Sequence, residues 1–155
     1  MKITGDPVRI LLVEDDAGHA EIVRRNMEAC RIANALHHVE DGQAALDYLY
    51  RLGRFAAAGS APRPELILLD LRLPKVDGQE VLRRIKTDND LRSIPVVVLT
   101  TSQAEVDLMA AYDHGACSYL VKPVDFEKFR QMLEAFGFYW LMWNQYPKAS
   151  ESAED

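Results

Sequence analysis

The sequence predicts an α/β domain in which a parallel sheet is covered by helices on both faces. Three observations carry this. Strand-like and helix-like patterns alternate five times along the chain, and such alternation packs as a parallel sheet joined by right-handed crossovers. The run Leu66-Ile67-Leu68-Leu69 is aliphatic without a break and leads straight into Asp70; a strand with no polar alternation is buried on both faces, as in the middle of such a sheet. The segments read as strands also stop at polar or charged residues. A parallel sheet gathers those ends along one edge, where open α/β sheets place their ligands.

Each element follows from local pattern. Residues 1–7 show none. Val8 to Val13 is a mostly aliphatic strand ending in Glu14-Asp15-Asp16. The next helix carries Ala20, Val23, Met27 and Cys30 at steps of three and four, with Asp16 as its cap. Ala35 to Val39 is a shorter, more polar strand, expected nearer the sheet edge. Asp41-Gly42 reads as a turn, and Ala44, Ala45, Leu46, Tyr48 and Leu49 mark a helix ending near Gly53. A loop rich in Ala, Gly and Pro leads to the central strand. After it, Leu73-Pro74 and Asp77-Gly78 make a second loop, and Val81, Leu82 and Ile85 mark a third helix ending around residues 88–90. Val96 to Leu99 is a strand stopped by Thr100-Thr101-Ser102. A fourth helix runs from about Gln103 to His114, with Val106, Met109, Ala110 and Ala111 as packing positions, and Gly115 ends it. Ser118 to Val121 is the fifth strand, stopped by Lys122-Pro123. The last helix begins near Asp125 and carries Phe126, Phe129, Met132, Leu133, Phe136 and Trp140.

The 155 residues suit one domain. We read residues 1–146 as that domain, with an extended aromatic carboxyl-terminal helix, and residues 147–155 as a disordered tail. A net charge of −6 gives no overall attraction to nucleic acid or anionic membrane. No signal sequence opens the chain and no apolar run approaches a membrane span. Cys30 and Cys117 lack metal-ligand spacing and read as buried thiols of a cytoplasmic protein. His19, His37, His38 and His114 have no partner spacing.

The strand ends bring Glu14, Asp15, Asp70, Thr100 and Lys122 toward one crevice. Three carboxylates repel one another, so the site favours a bound cation. All the candidate ligands are oxygens, which suits magnesium, with manganese as a substitute. Beside such an ion, Asp70 could attack a phosphoryl group and become an acyl phosphate, while Lys122 and Thr100 neutralise the equatorial oxygens.

Glu14-Asp15, Asp70, Thr100 and Tyr119-Leu120-Val121-Lys122-Pro123 resemble the receiver domains of two-component response regulators, the CheY-like family. The resemblance covers residues 8 to 136. It implies a flavodoxin-like sheet in the order 2-1-3-4-5. It implies that Asp70 is the phosphoacceptor, with a phosphohistidine on a sensor histidine kinase as donor. Asp15 would be the direct magnesium ligand, Glu14 its acidic neighbour, and the backbone carbonyl of Arg72 a further ligand. Thr100 and Lys122 match the switch hydroxyl and the phosphate-pairing lysine, Tyr119 the switch aromatic, and the Lys122-Pro123 peptide is cis in the family. Arg72 and Ser102 match positions that tune phosphoryl lifetime. The readout surface would be the face made by the fourth helix, fifth strand and fifth helix. Such a protein is a signalling phosphoacceptor rather than an enzyme.

Phe136, Phe138, Tyr139, Trp140, Trp143 and Tyr146 place six of the thirteen aromatics in eleven residues. That exceeds what one helix face needs for packing, and large apolar patches mark interfaces. We therefore expect a homodimer through Phe136, Tyr139, Trp140 and Trp143. This end and the Ala/Gly/Pro insert are similar to the single-domain regulators that serve phytochrome-type sensor kinases. No helix-turn-helix pattern or basic stripe follows the fifth helix, so no nucleic-acid partner is expected. A phosphatase of the dehalogenase type wants a second Asp two residues after the first, where Arg72 stands. A mononucleotide binder wants a small-residue phosphate loop where Glu14-Asp15-Asp16 stands. A receiver-like scaffold or dimer that works without phosphorylation is the remaining alternative.

Overall fold

The computed structural model describes residues 7–30, 34–112 and 118–137. Its elements run β1 Val8–Val13, α1 Ala17–Ala29, β2 Asn34–Val39, α2 Gly42–Tyr50, β3 Leu66–Asp70, α3 Gly78–Thr87, β4 Val96–Thr100, α4 Gln103–Tyr112, β5 Ser118–Val121 and α5 Phe126–Ala135, with one 3-10 turn at Gly53–Phe55. The five strands form one parallel sheet in the order β2-β1-β3-β4-β5. This is the flavodoxin-like strand order 2-1-3-4-5.

The uninterrupted apolar runs have the predicted cause. Every residue of β3 and of β4 is buried. Alternate residues serve opposite faces. Ile10, Leu12, Leu66, Leu68, Val97 and Leu99 pack with α1 and with Phe129, Met132 and Leu133 of α5. Leu11, Val13, Ile67, Leu69, Val96 and Val98 pack with α2, with Val81, Leu82 and Ile85 of α3, and with Met109 of α4. Each fully buried leucine contributes about 2 kcal/mol by its removal from water. The two outer strands are less enclosed: most of β2 and β5 is only half-buried, and Val121 is exposed.

The structure departs from the pattern reading in four places. Asp41-Gly42 is not a free turn: Asp41 caps α2, its carboxylate accepting from the Ala44 N–H at 2.7 Å, and Gly42 is already helical. The helix ends at Tyr50 rather than near Gly53, because Arg51 adopts a left-handed conformation (φ 58°) and closes it first. Phe126 shares the helical stripe of Phe129 but stays exposed; Val124 of the preceding loop is part of the core there. On α4, Met109 is buried but Val106 only half-buried.

The Ala/Gly/Pro loop is docked rather than free. The Tyr48 hydroxyl donates to the Pro62 carbonyl at 2.8 Å, Arg51 Nε donates to the Ala61 carbonyl at 3.1 Å, and Ala61 is buried. Asn26, in the α1 stripe but polar, donates to the Val124 carbonyl at 3.2 Å and so ties α1 to the β5–α5 loop. Residues 1–6, Gly115, His114, Cys117, Phe138, Tyr139, Trp140, Trp143, Tyr146 and the tail 147–155 lie outside the described residues. Among the described residues, no helix is long and apolar enough to cross a membrane.

Candidate functional site: an acidic cluster at the carboxyl edge of the sheet

β1, β3, β4 and β5 deliver the site. Asp70 is the last residue of β3, Thr100 the last of β4, and Glu14 and Lys122 directly follow β1 and β5. All four are buried, each at 9% exposure or less, an unusual density of polar groups in so apolar a sheet. Burial at that level requires partners. Lys122 Nζ supplies them, donating to Glu14 Oε1 at 3.1 Å and Oε2 at 3.2 Å, and to Asp70 Oδ2 at 3.1 Å. Two backbone N–H groups complete the carboxylates: Arg72 N donates to Asp70 Oδ1 at 3.1 Å, and Asp16 N to Glu14 Oε2 at 3.2 Å.

One ammonium thus serves two buried carboxylates, and this sets the electrostatics. Burial and then the Asp70 charge push the Glu14 carboxyl up to about 7, although Lys122 pulls it back. Burial alone would depress the Lys122 ammonium, but Glu14 and then Asp70 hold it above its ordinary value. The lysine is firmly charged, and the carboxylates are short of positive charge.

Asp15, exposed beside this pair, completes the cluster. Carboxylate oxygens of Glu14, Asp15 and Asp70 lie within 4.8 Å of one another. An all-oxygen donor set of this kind, under-neutralised by one lysine, fits a hard divalent cation.

A pH prediction follows. The folded pKa of Glu14 lies above its unfolded value of 4.5. Its contribution to stability is therefore full below 4.5 and is lost as the pH rises through about 7. Without metal, that loss is on the order of 3 kcal/mol. Urea unfolding in chelator at pH 4.5 and pH 8 should show the parent losing that much relative to Glu14→Gln; parallel pH profiles would contradict it.

Thr100 sits at the neighbouring strand end, but its hydroxyl is turned to another group. It donates to Glu105 Oε1, and its oxygen accepts from Ser102 N at 3.2 Å. The other Glu105 oxygen pairs with the Arg72 guanidinium at 3.0 Å. Nothing in the sequence pattern singles out Glu105: it is one acidic residue in the first turn of a helix, where such residues are common. Tyr119 is half-buried against the cluster that contains Met109. The Lys122-Pro123 peptide bond is cis. Phe136 is partly buried against the α1/α5 core. His38 Nε2 donates to the Glu14 carbonyl at 2.7 Å, a structural role.

Two glycines that read only as turn residues shape this edge. A Cβ on Gly78 would lie 2.3 Å from the Asp70 carbonyl oxygen and 2.5 Å from Leu71 Cα; one on Gly42 would lie 1.8 Å from the Val76 carbonyl oxygen. Both press on the loop after Asp70. The Gly78 N–H donates to the Leu71 carbonyl and the Gly42 N–H to the Pro74 carbonyl, at 3.0 and 3.3 Å.

A buried aspartate at the end of the central strand, flanked by two acids, a lysine and a hydroxyl at the neighbouring strand ends, defines a class. Residues 10–134 match the family model described as the response regulator receiver domain, and the chain belongs to that family. It is similar to two curated regulators over most of their length. One bears the name "Probable methanogenesis regulatory protein FilR2", from Methanothrix harundinacea, with 48% identity over 92% of this chain and 89% of that protein. The other is Response regulator Rcp1 of Synechocystis sp., with 42% identity over 87% of this chain and 90% of that one. Among solved structures, the bacteriophytochrome response regulator RtBRR matches with a TM-score of 0.80 and 39% identity, covering 96% of each chain. The Mn(2+)-bound form of Rcp1 matches with a TM-score of 0.71 and 41% identity, over 87% of this chain and 95% of that one. The likeness to regulators of the phytochrome class is thus carried by both sequence and fold.

Proposed function

We propose that this chain is a phosphorylation-controlled response regulator in which Asp70 accepts a phosphoryl group from a phosphohistidine of a sensor histidine kinase. The observation that carries this reading is the position of Asp70: buried, at the end of the central strand, with Lys122 Nζ 3.1 Å from Oδ2. In the transfer, an Asp70 carboxylate oxygen forms a bond to phosphorus as the phosphorus–nitrogen bond of the donor breaks. The electron pair of that bond stays with the imidazole, whose other ring nitrogen already carries a proton, so that neutral histidine leaves. Asp70 needs no base, because it is already an anion.

Lys122 would pair with the phosphoryl oxygens as charge builds on them, and the Thr100 hydroxyl would donate to another. Glu14, Asp15, Asp70 and the Arg72 carbonyl are the groups that would hold magnesium, with manganese able to substitute. When bound, the ion supplies charge neutralisation for carboxylates and phosphoryl group together. Phosphorylation would then bias a two-state equilibrium through Thr100 and Tyr119, read out on the face formed by α4, β5 and α5. Among the described residues, Leu108, Val121 and Phe126, one from each of these elements, are large apolar side chains left exposed.

The kinase is proposed to be of the phytochrome type on the strength of RtBRR, a bacteriophytochrome response regulator that matches 96% of this chain. The site of action would be the cytoplasm, and Phe136, Tyr139, Trp140 and Trp143 are proposed to build a homodimer. No nucleic-acid or membrane partner enters this reading.

The reading is tested with phosphoramidate, a small donor whose phosphorus–nitrogen bond stands in for phosphohistidine. With magnesium, the parent should gain a phosphoryl group that hydroxylamine removes, as expected of an acyl phosphate. Asp70→Asn should gain none. A gain of equal size in the mutant would place the chemistry elsewhere.

A further inference from the structure

We propose that Glu105 is a positioning residue that restrains phosphorylation at Asp70 by engaging the Thr100 hydroxyl and the Arg72 guanidinium before the phosphoryl group arrives. The inference rests on the reading of Asp70 as phosphoacceptor.

The geometry is specific. Glu105 is the third residue of α4, and its side chain is 17% exposed. Its two oxygens have different partners: Oε1 takes the Thr100 hydroxyl and Oε2 the Arg72 guanidinium. Its own N–H donates to Ser102 Oγ at 3.1 Å. The carboxylate is therefore presented from a backbone that is itself held.

Thr100 has a single proton to give. Its oxygen already accepts from Ser102 N, so the proton is the only means by which this hydroxyl can bind a phosphoryl oxygen. At present that proton is committed to Glu105. A carboxylate and a phosphoryl oxygen are both anionic acceptors, and they compete for the same donor. Arg72 faces the same choice. Its N–H is tied to Asp70 Oδ1 while its guanidinium reaches away to Glu105. Glu105 thus holds two groups that would otherwise bind the phosphoryl group, and its negative charge opposes an incoming anion. A phosphoryl group on Asp70 must replace Glu105 as the acceptor of the Thr100 hydrogen bond before the switch can move.

Removing the carboxylate should therefore raise phosphorylation and slow its loss. Phosphorylation by acetyl phosphate with saturating magnesium should be about tenfold faster in Glu105→Ala, the scale of one hydrogen bond to a charged acceptor. The phosphorylated form should also persist several-fold longer, because the freed hydroxyl and guanidinium now bind it. Glu105→Gln, which keeps the side chain's size and loses its charge, should move the same way by a smaller factor. A merely structural role for Glu105 would act independently of Thr100. In the Thr100→Ala background, however, most of the gain should vanish.

A rate that is unchanged or slower in both Glu105 variants overturns the inference, as does a gain that persists undiminished without Thr100. A parent that takes up no phosphoryl group instead defeats the phosphoacceptor reading, and the inference with it. Phosphorylation of the parent with no effect of Glu105 defeats the inference alone.

Discussion

Lys122→Met should lower the rate of phosphorylation by acetyl phosphate about 100-fold, the scale seen when one preorganised donor is removed from a site of developing negative charge. The side chain is 6% exposed and its ammonium is the countercharge for both Glu14 and Asp70. Methionine fills nearly the same space, so packing is largely kept while the charge is lost. The two carboxylates would then face each other without relief. Breaking a buried ion pair from one side costs about 3 kcal/mol or more, and urea unfolding in chelator at pH 8 should show it. The cost should shrink at pH 5, because Glu14, already raised to about 7, can take up a proton there. A divalent cation should restore most of the stability by neutralising the same carboxylates, but not the rate, because it cannot replace the ammonium beside Asp70 Oδ2. Arginine is not an equivalent substitute: its fork needs more room than a point charge. A Lys122→Met protein phosphorylated at the parental rate would remove Lys122 from the chemistry.

Gly78→Ala should destabilise the protein by about 3 kcal/mol, at the upper end of overpacking penalties. The added methyl would lie 2.3 Å from the Asp70 carbonyl oxygen and 2.5 Å from Leu71 Cα, both of them backbone atoms that no rotamer change can move aside. The strand end that carries Asp70 must shift instead, so phosphorylation should fall together with stability. Gly42→Ala presses on Val76 from the other side of the loop at 1.8 Å and should behave alike in stability. The control is Gly18→Ala, where the nearest atom is the Asp16 carboxylate at 3.1 Å, a side chain able to give way; it should change stability by less than about 1 kcal/mol. Thermal or urea unfolding of the three variants settles the order. Equal stability of Gly78→Ala and Gly18→Ala would contradict the close approach.

How much was legible follows from where each signal is written. Leu66–Asp70 and Val96–Thr100 were readable because burial on both faces leaves no room for polar alternation. The half-buried β2 was readable as an edge strand for the opposite reason. Glu14, Asp15, Asp70, Thr100 and Lys122 were readable as a group because parallel topology alone brings strand ends to one edge, whatever the side chains do next.

What the side chains do next was not readable. Glu105 lies five positions after Thr100, across a strand end and a helix start, and no periodicity encodes that contact. The link from Glu105 to Arg72 spans 33 residues. Gly42 and Gly78 looked like turn residues because sequence reveals a small residue, not the backbone pressed against it. The end of α2 was misplaced because Arg51, a residue with no preference for the left-handed region, is held there at φ 58°. Phe126 shows the limit of helical spacing: the stripe through Phe129 and Leu133 includes it, but Val124 belongs to the core beside that first turn.

The measurement that tests the central claim most directly is the intact mass of the protein after incubation with acetyl phosphate, with and without magnesium, for the parent and for Asp70→Asn. The account predicts a gain of one phosphoryl group in the parent, dependent on magnesium and absent from the mutant. No gain by the parent under any of these conditions would contradict it, and would leave a receiver fold that works as a scaffold or dimer without phosphorylation.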